Sequence, residues 1–219
     1  AFWQEAARAI EWSTEPTTVL DATDPPFYRW FRGGRLNTCF NALDWQVQLG
    51  RGNQRALVHD SPVTGGTRSL TYDELLDSVA RFAGGLRELG VEKGDRVLIY
   101  MPMVPELAMA VLACARLGVV HSVVFGGFSA ESIRDRFNDA KSKAVITMDG
   151  GYRRGKFLPL KQTVDEGVKD CPTCAHVLVL QRHPGKPDAG CAMQAGRDVW
   201  YHEAAAQVTD QCEAVQQEA

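Results

Sequence analysis

The sequence is short of several things, and each shortage excludes a class of function. It has no Gly-Lys-Ser or Gly-Lys-Thr pair, hence no Walker phosphate loop, and Gly50-Arg51-Gly52 lacks the third glycine of a dinucleotide turn. There is no cationic excess. With 24 Lys and Arg against 27 Asp and Glu, a net charge of −3 and a pI near 6.0, the chain is not built as a general binder of nucleic acid or of an anionic membrane. Long apolar runs are missing too. The longest in the middle of the chain, Leu107 to Ala115, is about half of a membrane span. The opening residues AFWQEAARAIEW carry early acids and no cationic region, so they read as neither a signal nor a transit peptide, although such a peptide can already have been removed.

Cys171-Pro172-Thr173-Cys174 has metal-ligand or redox spacing, but no second Cys-x-x-Cys completes a zinc set. Six irregularly spaced cysteines in 219 residues suit free thiols in a reducing compartment rather than a disulfide scaffold. No Ser-His-Asp set, carboxylate pair or metal cluster can be argued from spacing, so no catalytic and no metal-ligating residue is assigned.

What is present is concentrated in residues 119 to 156. Val119 to Val124 is a β-branched run expected to be a strand covered on both faces. Phe125-Gly126-Gly127-Phe128 breaks it, and Ser129 followed by Glu131 opens a helix with a capping hydroxyl and an early acid. Ala144 to Thr147 is the next strand. The turn after it, Gly150-Gly151-Tyr152-Arg153-Arg154-Gly155-Lys156, carries three cations in four positions. In an open parallel sheet both glycine turns fall at the carboxyl ends of their strands, where such folds bind ligands. A glycine pair lets backbone approach a ligand, and the following helix N-terminus offers N–H groups to an anion. Arginine and lysine converging across Gly155 suit a phosphate. A plain strand-to-helix turn and a solvated basic turn are the structural alternatives. His121, inside the apolar run, is expected to be a hydrogen-bonded core residue.

Elsewhere, residues 1 to 12 are expected to form a short helix, and 13 to 36 an irregular arm whose Phe27, Tyr28, Trp30 and Phe31 pack against a larger body, a ring-stacking site being the alternative. Asn37 to Leu49 reads as a helix, Ala56 to His59 as a strand, and Ser61 to Thr67 as a connecting turn. Thr71-Tyr72-Asp73-Glu74 matches a capping box opening a helix that runs to Gly90. Arg96 to Tyr100 is a strand, and Pro105 to Gly118 bounds the next helix. A helix near Val164 to Lys169 and a strand at His176 to Leu180 follow. Regular alternation from residue 70 onward predicts an α/β fold with a doubly wound, mostly parallel sheet. The segment Arg182 to Arg197 is loose, and no closing strand is expected before Ala219.

Leu70-Thr-Tyr-Asp-Glu-Leu75, Lys93-Gly-Asp-Arg-Val97, Tyr100-Met-Pro-Met-Val-Pro-Glu106, Leu112-Ala-Cys-Ala-Arg-Leu-Gly118 and His121-Ser-Val-Val-Phe-Gly-Gly-Phe-Ser129 resemble the AMP-forming short-chain acyl-CoA synthetases, in particular the acetyl- and propionyl-CoA synthetase branch. The resemblance covers essentially the whole chain, including Gly196-Arg-Asp-Val-Trp200. The Gly-Gly-Tyr-Arg-Arg-Gly-Lys form is most similar to the propionate-preferring, mitochondrial members. It implies an N-terminal arm over residues 1–60 and the first α/β part of the AMP-binding domain over 61–219. It also implies a mitochondrial matrix location, with cytoplasm as the alternative.

In that family, carboxylate and Mg-bound ATP give an acyl-adenylate, and the thiol of coenzyme A displaces AMP. Carried over, Phe125, Gly126 and Gly127 lie beside the coenzyme A nucleotide. Arg153 and Lys156 lie near its 3′-phosphate, with Arg154 and Gly155 between them. Lys156 stands where relatives often have arginine. The family's ATP-phosphate loop, acyl pocket and adenylation lysine are expected beyond residue 219, so these residues alone are expected to make no acyl-CoA and to hold no tightly bound cofactor. Partners are the small substrates (coenzyme A, a short-chain carboxylate, ATP), not nucleic acid or membrane, with self-association through an exposed sheet edge. Two other classes stay open: a self-standing nucleotide-binding module without chemistry, and a zinc or redox sensor built on Cys171 and Cys174.

Overall fold

The computed structural model describes residues 2–63, 65–183, 191–206, 208 and 212–219. The chain starts with one helical turn, α1 (Phe2–Ala6), continued by a 3-10 turn at Ala7–Ala9. An antiparallel hairpin, β1 (Thr18–Asp21) and β2 (Arg29–Arg32), follows, then the short β3 (Arg35–Leu36). The arm is therefore more regular than expected. Its aromatics are also not laid against the body: Phe27 is 73% and Tyr28 54% exposed, and Phe2, Trp3 and Trp30 are exposed as well. Phe2, Trp3, Trp12, Trp30 and Phe31 pack on one another, with Trp3–Trp30 and Trp12–Phe31 ring centroids 5.7 and 5.5 Å apart, because a lone two-stranded hairpin has no second layer to cover it.

The expected helix over 37–49 is broken into α2 (Thr38–Ala42), α3 (Asp44–Gln46) and a wide turn at Val47–Arg51 with Gly50 at φ +77°. Asn37 caps α2 by accepting from the Phe40 N–H, and its amide donates to the carbonyls of Ala115, Arg116 and Val215. Next comes a hairpin, β4 (Arg55–Ser61) and β5 (Gly66–Thr71), so both ends of the expected turn at 61–67 (Ser61, and Gly66 with Thr67) are strand. Thr64 of that turn lies outside the described residues. The expected division at 60/61 falls within this hairpin.

Thr71 and Glu74 form the capping box of α4 (Tyr72–Glu88). β6 (Arg96–Met101) leads to α5 (Pro105–Leu117), which has proline in its first turn and Gly118 as a left-handed cap. β7 (Val120–Phe125), α6 (Ala130–Ala140) and β8 (Ala144–Met148) follow. The expected turn at 150–156 is mostly part of a hairpin, β9 (Gly151–Arg153) and β10 (Lys156–Leu158). The chain continues with α7 (Leu160–Val168), β11 (His176–Leu180), β12 (Asp198–Trp200) and α8 (Tyr201–Ala206). Residues 184–190 of the segment expected to be loose lie outside the described residues. A closing strand does exist: β13 (Gln217–Glu218) pairs antiparallel with β3.

Five strands make one parallel sheet in the order β12-β11-β8-β6-β7. From β6 the chain steps to β7 and then back across β6 to β8. With right-handed crossovers this reversal puts α5 and α6 on opposite faces. α4 packs on α5 and α8, and α6 packs on α7. β8 is buried throughout and β11 nearly so. β7 departs from expectation. Its residues match the composition of a covered strand, but it is the edge, with Val120 59% and Val123 49% exposed. Position in the sheet, not composition, decides coverage.

Candidate functional site

β6, β7 and β8 end side by side, and the loops that leave them meet. Met101 closes β6, Phe125 closes β7, and Asp149-Gly150 follows β8. A Cβ on Gly126 would come within 3.1 Å of the Met101 carbonyl and the Pro102 nitrogen. Only glycine lets the turn after β7 pack directly on the backbone leaving β6. Gly127 has φ +120°, and a Cβ there would come within 2.7 Å of the Arg153 guanidinium. The two glycine turns singled out from sequence are thus in contact. Arg153 Nη1 lies 3.4 Å from the Gly127 carbonyl, and its guanidinium carbon sits 5.2 Å from the centre of the Phe125 ring. At an exposed position such a cation–π contact contributes about 0.5–1 kcal/mol.

The basic turn is a two-residue hairpin loop. Arg154 at φ +50° and Gly155 at φ +76° form its tip, the left-handed pair that matches strand twist. This register sets Arg153 directly opposite Lys156, where like charges repel. Arg153, Arg154, Gly155 and Lys156 are all exposed. Among the described residues none of the three cations forms an ion pair. Charge aligned in this way has the donors to receive an anion with several oxygens.

The hairpin is anchored from behind. The Tyr152, Phe157 and His183 rings meet edge to face, each pair 5.4 Å apart. Asp149, buried, accepts from the backbone N–H groups of Gly150, Arg182 and His183 at 2.8, 3.1 and 2.7 Å. A cleft of about 200 Å³ opens between the loops, lined by Met103, Phe125, Gly126, Arg153, Arg182 and His59. A second cleft of about 510 Å³ shares His59 and Arg182 and reaches Glu106, Met148, Tyr201 and His202.

One expectation fails in detail. The Gly127 N–H does not point outward to an anion; it donates to the Tyr100 hydroxyl at 3.0 Å, and the Ser132 N–H goes to the capping Ser129 hydroxyl. His121 is half-buried on β7. Burial pushes its pKa below the usual imidazole value, against a hydrogen bond with the Val119 backbone. All six cysteines are free; Cys171 is buried, and burial pushes the Cys174 thiol up to about 11. Tyr100, His59, Asp149 and Arg182 also belong to the site, and none of them carries a role in the sequence reading. Only Asp149 gives a local signal, a carboxylate directly after a strand that carries no charge.

Comparison with known families and structures gives a consistent result. A family model described as "AMP-binding enzyme" matches residues 43–214, and one described as "Acetyl-coenzyme A synthetase N-terminus" matches residues 1–42. The chain is 50% identical over 202 residues to an acetyl-coenzyme A synthetase of Streptomyces avermitilis, covering 92% of this chain and 30% of that protein. To an acetyl-coenzyme A synthetase of Rubrobacter xylanophilus it is 47% identical over 213 residues, covering 97% of this chain and 32% of the other. An acetoacetyl-CoA synthetase structure from Streptomyces lividans superposes with a TM-score of 0.84 at 29% identity, covering 99% of this chain and 32% of that one. The chain therefore spans about a third of the length of the relatives it matches.

Proposed function

The chain belongs to the AMP-binding enzyme family, led by the N-terminal segment of the acetyl-coenzyme A synthetases, and from that premise we propose that it supplies part of the coenzyme A nucleotide site of an AMP-forming short-chain acyl-CoA synthetase. The observation that carries the proposal is the contact between the two turns. Arg153 rests on Gly127 and Phe125, and among the described residues neither its charge nor that of Lys156 has a counter-ion.

In the proposed reaction a carboxylate attacks ATP, pyrophosphate leaves, and the coenzyme thiol then displaces AMP from the acyl-adenylate. These residues take no bond-making step. Arg153 and Lys156 hold the 3′-phosphate, and Arg154 and Gly155 shape the loop between them. Phe125, Gly126 and Gly127 form the surface on which the coenzyme's nucleotide lies. Magnesium enters with ATP in this reading. The acyl substrate we propose is a short-chain acid, propionate in preference to acetate, on the Gly150–Lys156 sequence alone. A mitochondrial matrix address has the same basis. The relatives named above are bacterial and carry the acetyl name. Parallel assays of both acids in a full-length synthetase containing these residues test the first, and cell fractionation tests the second.

Two charge-assisted contacts give about 1.5–3 kcal/mol each, while association costs at least roughly 4 kcal/mol. The surplus is at most about 2 kcal/mol, so coenzyme A should bind this chain with a Kd of about 30 mM or weaker. Titration followed by NMR should move the resonances of 125–128 and 152–156. Shifts confined to other regions refute the site.

A further inference from the structure

Tyr100 stands on β6 between Ile99 and Met101 and is 1% exposed. Phenylalanine would fill that space equally well, so the hydroxyl needs a separate explanation. It accepts from the Gly127 N–H at 3.0 Å and donates to the Phe128 carbonyl at 2.9 Å. One buried oxygen thus ties two successive residues of the 125–128 turn to the strand beside it, where little water competes for either bond. Burial pushes the phenol's pKa up, against the Gly127 N–H, the Thr163 hydroxyl and the Arg153 charge. It stays protonated through neutral pH and keeps its bond to Phe128.

What the hydroxyl holds is not a relaxed backbone. Gly127 at φ +120° lies outside the regions side-chain-bearing residues favour. A side chain on Gly126 would press on the Met101 carbonyl, so the turn lies this close to β6 because that position is glycine. With its N–H fixed inward, Gly127 turns its carbonyl to Arg153 Nη1, and Phe125 presents its ring to the same guanidinium.

We propose that Tyr100 is a positioning residue: its hydroxyl locks the glycine turn in the conformation that seats Arg153 at the cleft, and so sets the affinity for the coenzyme's phosphate without touching the ligand. The ligand in this statement rests on the function proposed above; the clamp itself does not.

The test compares Tyr100→Phe with Ile99→Val, which trims the buried neighbouring side chain and leaves the hydroxyl alone. In Tyr100→Phe the Gly127 amide should exchange with solvent roughly fivefold faster, the weight of one net hydrogen bond, and the Arg153 Nε–H resonance should move. Ile99→Val should do neither. Coenzyme A should bind Tyr100→Phe roughly fivefold more weakly than the parent chain. If Gly127 exchange and the Arg153 resonance change no more in Tyr100→Phe than in Ile99→Val, the clamp is refuted. If both change and coenzyme affinity does not, the hydroxyl shapes the turn without serving the ligand, and the proposal is equally overturned. Should the parent chain show no coenzyme shifts at 125–128 and 152–156, the proposed function falls, and exchange and Arg153 alone decide the clamp.

Discussion

Two groups of cations flank the short stretch between β10 and α7, and the protein uses them in opposite ways. Lys161 on α7 is fully buried. Its ammonium sits 2.7 Å from both oxygens of Asp165, 2.7 Å from Asp198 and 3.0 Å from the Ala192 carbonyl. Arg197 adds a 2.6 Å contact to Asp198 and a further contact to Asp165. Every charge there has a partner, and the cluster fastens α7 to the edge strand β12. Arg153, Arg154 and Lys156 have no counter-ion among the described residues and lie in solvent. Charge that is buried and matched holds a fold together, whereas charge that is exposed, aligned and unmatched is available to a ligand.

The largest effect expected from breaking this contrast is at Lys161. Lys161→Met keeps the volume and leaves Asp198 to Arg197 and the Gln194 N–H alone, which costs about 1.5–3 kcal/mol. Urea denaturation should show the midpoint falling with little change in slope. A variant as stable as the parent chain would mean that the network is ornamental.

A smaller effect follows from acid. Burial raises the Asp198 pKa, but Arg197, the Gln194 N–H and Lys161 outweigh it and hold the carboxyl below its usual range. A depressed folded-state pKa contributes stability that is complete above the unfolded value of about 4 and is lost as pH falls through the folded one. Stability should therefore decline below about pH 4, and Asp198→Asn should flatten that decline. An unchanged slope in the variant would place the acid sensitivity at other carboxylates, such as Asp95 beside Lys143.

Local chemistry made much of the fold legible. The capping box at Thr71, proline and glycine bounding α5, and the apolar runs of β6, β8 and β11 are each decided within a few residues, and each appears where its residues predict. What failed depended on distant partners. β7 has the composition of a covered strand, yet its place at the edge is set by the order in which crossovers return. β12 and β13 are two or three residues long and exist only through pairing with β11 and β3. In the site, the carboxyl-end rule was enough to bring Gly127 and Arg153 together. Tyr100 was illegible, because a tyrosine inside an apolar strand has the same pattern as any core aromatic, and only coordinates show where its hydroxyl goes.

The smallest expected effect on stability belongs to the open cluster, and it is the one that most sharpens the contrast with Lys161. Arg153 is exposed, forms no ion pair among the described residues, and sits opposite a like charge. Removing it relieves repulsion with Lys156 while giving up one long hydrogen bond and one exposed cation–π contact. These terms are comparable, so Arg153→Ala should change unfolding free energy by no more than about 0.5 kcal/mol in either direction. Coenzyme-induced shifts at 125–128 and 152–156 should disappear in the same variant, and raised salt should weaken them in the parent chain, since exposed charges are screened. In a full-length synthetase containing these residues the change should raise the KM for coenzyme A and leave adenylate formation intact. If Arg153→Ala instead destabilises the chain as strongly as Lys161→Met, the open cluster is structural as well, and the distinction between matched and unmatched charge fails for this protein.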